Sequence, residues 1–198
     1  IDNYMQKILN VKTIYILLFL FVISLVPRLL YINDGLLHHD SIQAAIATEQ
    51  TLETGRLYGI VDYRYGFVLL NVIAYFIPHF VFGVQSSELT ITLVTVLFAS
   101  LSVVLMYLFV KELLENRYLA VSSSLLFAFF PIHLAVTTYA KDHALSIFFI
   151  LLSAYFLVKA LKTDSVAYKI LFGASLGYSL FVRVSDIFVS FPLFFMLY

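Results

Sequence analysis

Three short polar stretches carry residues that could do chemistry in an otherwise apolar chain: His38-His39-Asp40-Ser41, Lys141-Asp142-His143 and Arg183-Val184-Ser185-Asp186. Each adjoins a long apolar segment, where a charge costs roughly 2.5–3.5 kcal/mol at the centre of a membrane span and less near its ends, so such charges tend to be paired or functional. Asp40 and Asp142 each stand where a helix would start. The positive end of a helix keeps a carboxylate ionised, and an ionised carboxylate facing water suits a general base. Asp40 also has a purely structural reading: with Gln43 three residues on and Gly55 as a stop, it fits a capping pattern for a helix carrying Glu49 and Glu53. Arg183 could pair with Asp186 one turn on. The histidines are not read as a metal site, since neighbours in a loop seldom face one ion and a site needs three or four ligands. No structural zinc is expected, and His79 and His133 read as interfacial or hydrogen-bonded within a bundle.

Composition sets the class of protein that must hold these residues. Hydrophobic residues make up 62% and charged residues 12%, against roughly 45–50% and about 25% in soluble domains, and the mean hydropathy is +0.98. This predicts an all-α polytopic membrane protein in contact with membrane lipids. A formal net charge of zero offers no basic surface for nucleic acid, and the lack of cysteine removes disulfides and thiolate metal sites. With 20 Phe, 14 Tyr and no Trp, an interfacial aromatic belt must be built from Tyr and Phe.

In chain order, a polar lead with Lys7 and Lys12 precedes a first span at 13–32, read as an uncleaved anchor with Pro27-Arg28 near its far end. An outer loop at 33–88 follows, then spans at 89–110, 118–140, 143–161 and 166–182. The last stretch, 187–198, is half the roughly 20 residues a crossing needs. That length, with no Met at position 1, predicts an N-terminal fragment of a longer chain, forming a single transmembrane domain. The segment 67–83 is apolar enough to cross but is interrupted by Asn71, Pro78 and His79. If it lies along the outer interface, Lys7, Lys12, Lys111, Arg117, Lys159, Lys162 and Lys169 fall in the cytoplasm; if it crosses, the last five move outside. The excess of Lys and Arg on cytoplasmic loops favours the first arrangement, which puts Asp40, Asp142 and Arg183 on one non-cytoplasmic face.

The chain resembles the N-terminal half of the GT-C superfamily of membrane glycosyltransferases, closest to the branch holding protein O-mannosyltransferases and the lipid A aminoarabinose transferase. The resembling stretches are His38-His39-Asp40 with Ala44-Ala45 and 49–55, Tyr65-Gly66, Phe130-Pro131, Tyr139-Ala140-Lys141-Asp142 and 173–183. It departs from the family pattern at Ser41, where relatives have Glu after Asp, and at Tyr65-Gly66-Phe67, where they have Pro-Pro-Leu. The resemblance implies a helix bundle with juxtamembrane helices in its outer loop. It also implies inverting transfer of a sugar from a polyprenyl-phosphate donor to an acceptor protein, lipid or glycan, in a prokaryotic plasma membrane or the endoplasmic reticulum. Asp40 is then the base, Asp142 positions the acceptor or a divalent cation if one is used, and Arg183 and Arg64 take the donor phosphate, with Lys141 and His39 as further substrate contacts. A transporter or lipid flippase with the same charges lining a pathway is the competing class; the chain shows no internal repeat, and its charges lie at span ends.

Overall fold

The computed structural model describes residues 2–32, 39–60, 64–84, 86–188 and 192–193. Its elements in order are α1 (Asp2–Leu30), α2 (His39–Thr54), α3 (Tyr65–Phe82), α4 (Glu88–Leu114), α5 (Arg117–Ala128), α6 (Pro131–Val136), α7 (His143–Thr163), α8 (Val166–Val182) and a short 3₁₀ turn at Val184–Asp186. The described residues contain no β-strand. Four helices, at Lys12–Leu30, Tyr65–Phe82, Glu88–Leu114 and His143–Thr163, are long and apolar enough to cross a membrane, and Val166–Val182 is a shorter apolar helix. This is an all-α polytopic membrane protein. Most of 187–198 lies outside the described residues, as does His38.

α4 is the central helix: 56% of its apolar stretch is buried, against 17% for α1 at the edge. α1, α5 and α7 pack on α4, and α8 packs on α7. The outward faces are greasy, with Leu18, Phe19, Leu126, Ile132 and Ile170 all exposed, as suits contact with acyl chains. The inward faces are small and weakly polar. Ser100, Ser102 and Ser124 are fully buried and donate to carbonyls one turn back on their own helices, so each hydroxyl is satisfied while backbones approach closely.

The charges separate to the two ends of this bundle. At one end Lys159 meets Glu112 at 2.9 Å and Lys162 meets Glu115 at 2.5 Å, joining the C-termini of α4 and α7. At the other end the Thr95 hydroxyl, two turns into α4, lies 3.4 Å from the carbonyl of Lys141, just ahead of α7. α4 and α7 therefore run parallel. α2 and α3 are held at this second end. The backbone N–H of Ser87, ahead of α4, donates to Glu49 of α2 at 2.9 Å, and Gly66 at the start of α3 abuts Phe181 and Val182 at the end of α8. An apolar cluster including Ala44, Ala45, Phe67, Val68, Ile91, Leu145 and Val182 sits beneath them.

The stretch expected as one span at 118–140 is two helices, α5 and α6. Pro131 supplies no N–H, and Phe130 before it adopts φ −62°, ψ 121°, outside the helical region that a following proline disfavours. The carbonyl of Ala128 left open by the break accepts from Arg28 Nη2 at 3.3 Å. Arg28 is fully buried, and Ser24, Thr137 and His133 receive its other donors, at 2.7–2.9 Å. Instead of snorkelling from its span, Arg28 turns inward and takes up the negative end of the broken helix.

Candidate active site

The first turn of α2 is pinned from below. Ser41, buried, donates its hydroxyl to the carbonyl of Ala140 at 2.5 Å, which brings the start of α2 against the turn preceding α7. Asp40 and Asp142, about a hundred residues apart in sequence, thereby enter one neighbourhood. The expected capping roles take a different form: α2 includes Asp40 within its first turn, and Asp142 occupies the N-cap position of α7 without a side-chain cap bond. A third residue engages both carboxylates. Arg64 Nη1 donates to Asp40 Oδ2 at 2.8 Å, and Arg64 Nε stands 3.4 Å from Asp142 Oδ2, a charge pair outside hydrogen-bond geometry.

Local backbone explains how Arg64 reaches between them. It takes the left-handed conformation, φ 61° and ψ 33°, just ahead of α3, and its carbonyl accepts from the N–H of Phe67. A non-glycine residue there is strained by about 1–2 kcal/mol. The strain is held by the junction of α3 with α8, where Gly66 lies so close to Phe181 that a Cβ would clash and its carbonyl accepts from the Tyr178 hydroxyl at 2.9 Å.

Arg183 stands at the rim, the residue ending α8. Its Nε donates to Ser185 Oγ at 2.8 Å and its Nη1 contacts His143 Nδ1. Asp186 is buried and accepts from Ser146 on α7 at 2.7 Å. Burial pushes its carboxyl above the ordinary carboxylate value, against the opposing pull of Ser146 and Arg183.

The structure brings Asp40, Asp142 and Arg64 into direct contact and places the other candidates apart. The Lys141 ammonium lies over the Tyr139 ring at 5.2 Å, and His39 is exposed with its Nε2 3.2 Å from Gln43 Nε2 on the same helix. Among the described residues no three His, Cys, Asp or Glu side chains gather as metal ligands. The Arg64 guanidinium holds the place between Asp40 and Asp142 that a divalent ion would need, so this pair does not fit one in the present arrangement.

Residues 71–198 match the family model described as dolichyl-phosphate-mannose-protein mannosyltransferase. The chain belongs to this family. The matched stretch of this mannosyltransferase-family protein carries Asp142, His143, Arg183 and Asp186, while Asp40 and Arg64 lie ahead of it. It is also similar to dolichyl-phosphooligosaccharide-protein glycotransferase 1 of Archaeoglobus fulgidus, 39% identical over 84 residues, which is 41% of this chain and 14% of that protein. Both likenesses fall within the GT-C superfamily.

Sequence reading missed two features of the mannosyltransferase-family site. One is the contact of His143 with Arg183, which depends on the end of α8 meeting the start of α7. The other is the role of Arg64 as common counter-ion, for which its position in a polar loop was the sole hint.

Proposed function

We propose that this protein is an inverting glycosyltransferase that moves a sugar from a polyprenyl-phosphate donor to a hydroxyl of an acceptor protein, lipid or glycan on the non-cytoplasmic face of the membrane. The observation that carries this reading is the guanidinium of Arg64 set between two carboxylates on separate elements. Such a site offers a base and a phosphate-binding cation within one side chain's reach. The acceptor oxygen attacks the anomeric carbon, and the bond from that carbon to the phosphate oxygen breaks with its electron pair leaving on the phosphate. Asp40, 31% exposed, takes the acceptor proton; Asp142, buried, orients the acceptor. Polyprenyl phosphate is a good leaving group, so the site must supply a base and positive charge and no strong acid. Arg64 and Arg183 provide that charge, and direct displacement inverts the anomeric configuration.

The orientation is supported by the charge separation in the bundle, with Lys111, Arg117, Lys159, Lys162 and Lys169 at the end away from the site. It is supported further by the anchoring of α3 at both ends: its start meets the end of α8, and Ser87, between α3 and α4, meets α2, both at the site end. On this reading α3 lies along the outer interface.

The test is Asp40→Asn in the intact membrane protein, assayed for release of labelled sugar from polyprenyl phosphate to acceptor. The amide keeps the size of the side chain but cannot take a proton. Transfer should fall by roughly 10²–10⁴, the usual contribution of a positioned base, with Glu53→Gln near wild type. A rate for Asp40→Asn within a few-fold of wild type would remove Asp40 from the chemistry and make Asp142 the residue to test.

A further inference from the structure

Arg64 serves two carboxylates at once, and its two contacts are unequal. The Asp40 contact is a hydrogen bond of 2.8 Å to a carboxylate 31% exposed; the Asp142 contact is 3.4 Å, outside hydrogen-bond geometry, to a carboxylate 4% exposed. If Arg64 turns toward an incoming anion, water can replace it at Asp40. Asp142 would be left as an uncompensated buried charge, which is far more costly. A phosphate oxygen pair also offers the planar fork a bidentate acceptor that a single Asp40 oxygen does not. Resting on the reading of this site as a polyprenyl-phosphate glycosyltransferase, we infer that the donor phosphate displaces Asp40 from Arg64, so that the donor itself frees the base while Arg64 stays against Asp142.

Backbone geometry confines the exchange to a side-chain rotation. The Arg64 carbonyl is tied to the first turn of α3, and that turn is wedged on α8 through Gly66. Among the described residues, these charged groups stand around Asp40. Arg64 comes from the turn before α3 and Asp142 from the start of α7; His39 on its own helix is turned to Gln43, Lys141 lies over Tyr139, and Arg183 is engaged by His143. A carboxylate paired with arginine is a weak base. The same carboxylate beside Asp142 and a phosphate, with its guanidinium withdrawn, has a raised proton affinity. Without donor, then, the base is tied up, and acceptor activation follows donor binding.

The experiment is a double-mutant cycle on the binding of sugar-free polyprenyl phosphate to the intact protein in lipid nanodiscs. Removing the competitor with Asp40→Asn should tighten binding several-fold, and Arg64→Gln should weaken it. Adding Asp40→Asn to Arg64→Gln should bring no further gain. Loss of a negative charge acting only through the general field would tighten binding equally in both backgrounds, and that result overturns the exchange. So does an Asp40→Asn affinity equal to wild type. Failure of the wild-type protein to bind the lipid phosphate at all would instead defeat the proposed function and the exchange with it. Where Arg64→Gln alone does not fold, Arg64→Gln with Asp142→Asn removes the buried charge together with its partner, and the cycle is run in that background.

Discussion

Asp40, Asp142 and Asp186 are chemically one residue type placed in three environments, and the environment decides what each can do. Asp40 is half in water and hydrogen-bonded to a guanidinium; Asp142 is buried with the same guanidinium at longer range; Asp186 is buried with the hydroxyl of Ser146. The raised carboxyl of Asp186 has a measurable consequence. A carboxyl whose folded-state pKa exceeds its unfolded one adds stability that is fully present below the unfolded value and is lost as pH rises through the folded one. The thermal midpoint of the solubilised protein should therefore fall as pH climbs above the ordinary carboxylate range. Asp186→Asn keeps an acceptor for Ser146 and should flatten that fall. An unchanged slope in Asp186→Asn would show that another group sets it.

At the scale of elements, two junctions position the site, and each turns on one residue. At Gly66 a Cβ would meet Phe181 C, Phe181 Cδ1 and Val182 N, all at 2.9 Å, and two of those atoms are backbone that cannot rotate away. Gly66→Ala should lower stability by about 1–3 kcal/mol, the usual cost of overpacking, and reduce transfer, because it pushes the start of α3, and Arg64 with it, off the end of α8. Gly177→Ala on the same helix meets nothing within 4 Å and should be neutral or stabilising by up to about 1 kcal/mol. Thermal melts of the two variants decide the matter: equal midpoints would mean that the α3–α8 contact yields without cost. The second junction is Arg28, whose guanidinium ties α1 to the break between α5 and α6. The sequence reads as one span at 118–140; the break at Pro131, and the inward turn of the arginine that satisfies it, are visible only in the packed bundle.

For the whole molecule, the proposed orientation predicts an accessibility pattern. Single cysteines at His39, Val84 and Val184, all exposed at the site end, should react with an impermeant reagent from outside, and cysteines at Asn116 and Asp164 should react only from within. Labelling of Val84 from the cytoplasmic side alone would mean that α3 crosses. The all-α membrane class was legible in the sequence by itself, because composition and runs of about 20 apolar residues suffice when lipid is the solvent and every backbone group must be satisfied within a helix. The polar stretches holding Asp40, Asp142 and Arg183 were legible too, since few charges survive in such a chain. Which of these residues touch was not. Arg64 bridges to Asp40 and Asp142 because Ser41 bonds the carbonyl of Ala140 and Gly66 fits against Phe181, contacts spanning about a hundred residues of sequence each. Helical periodicity records which side of a helix is apolar; it holds no record of the rotation and height at which two distant helices meet, and that relation, set by packing, chose Arg64 over Lys141 and His39 as the cation between the carboxylates.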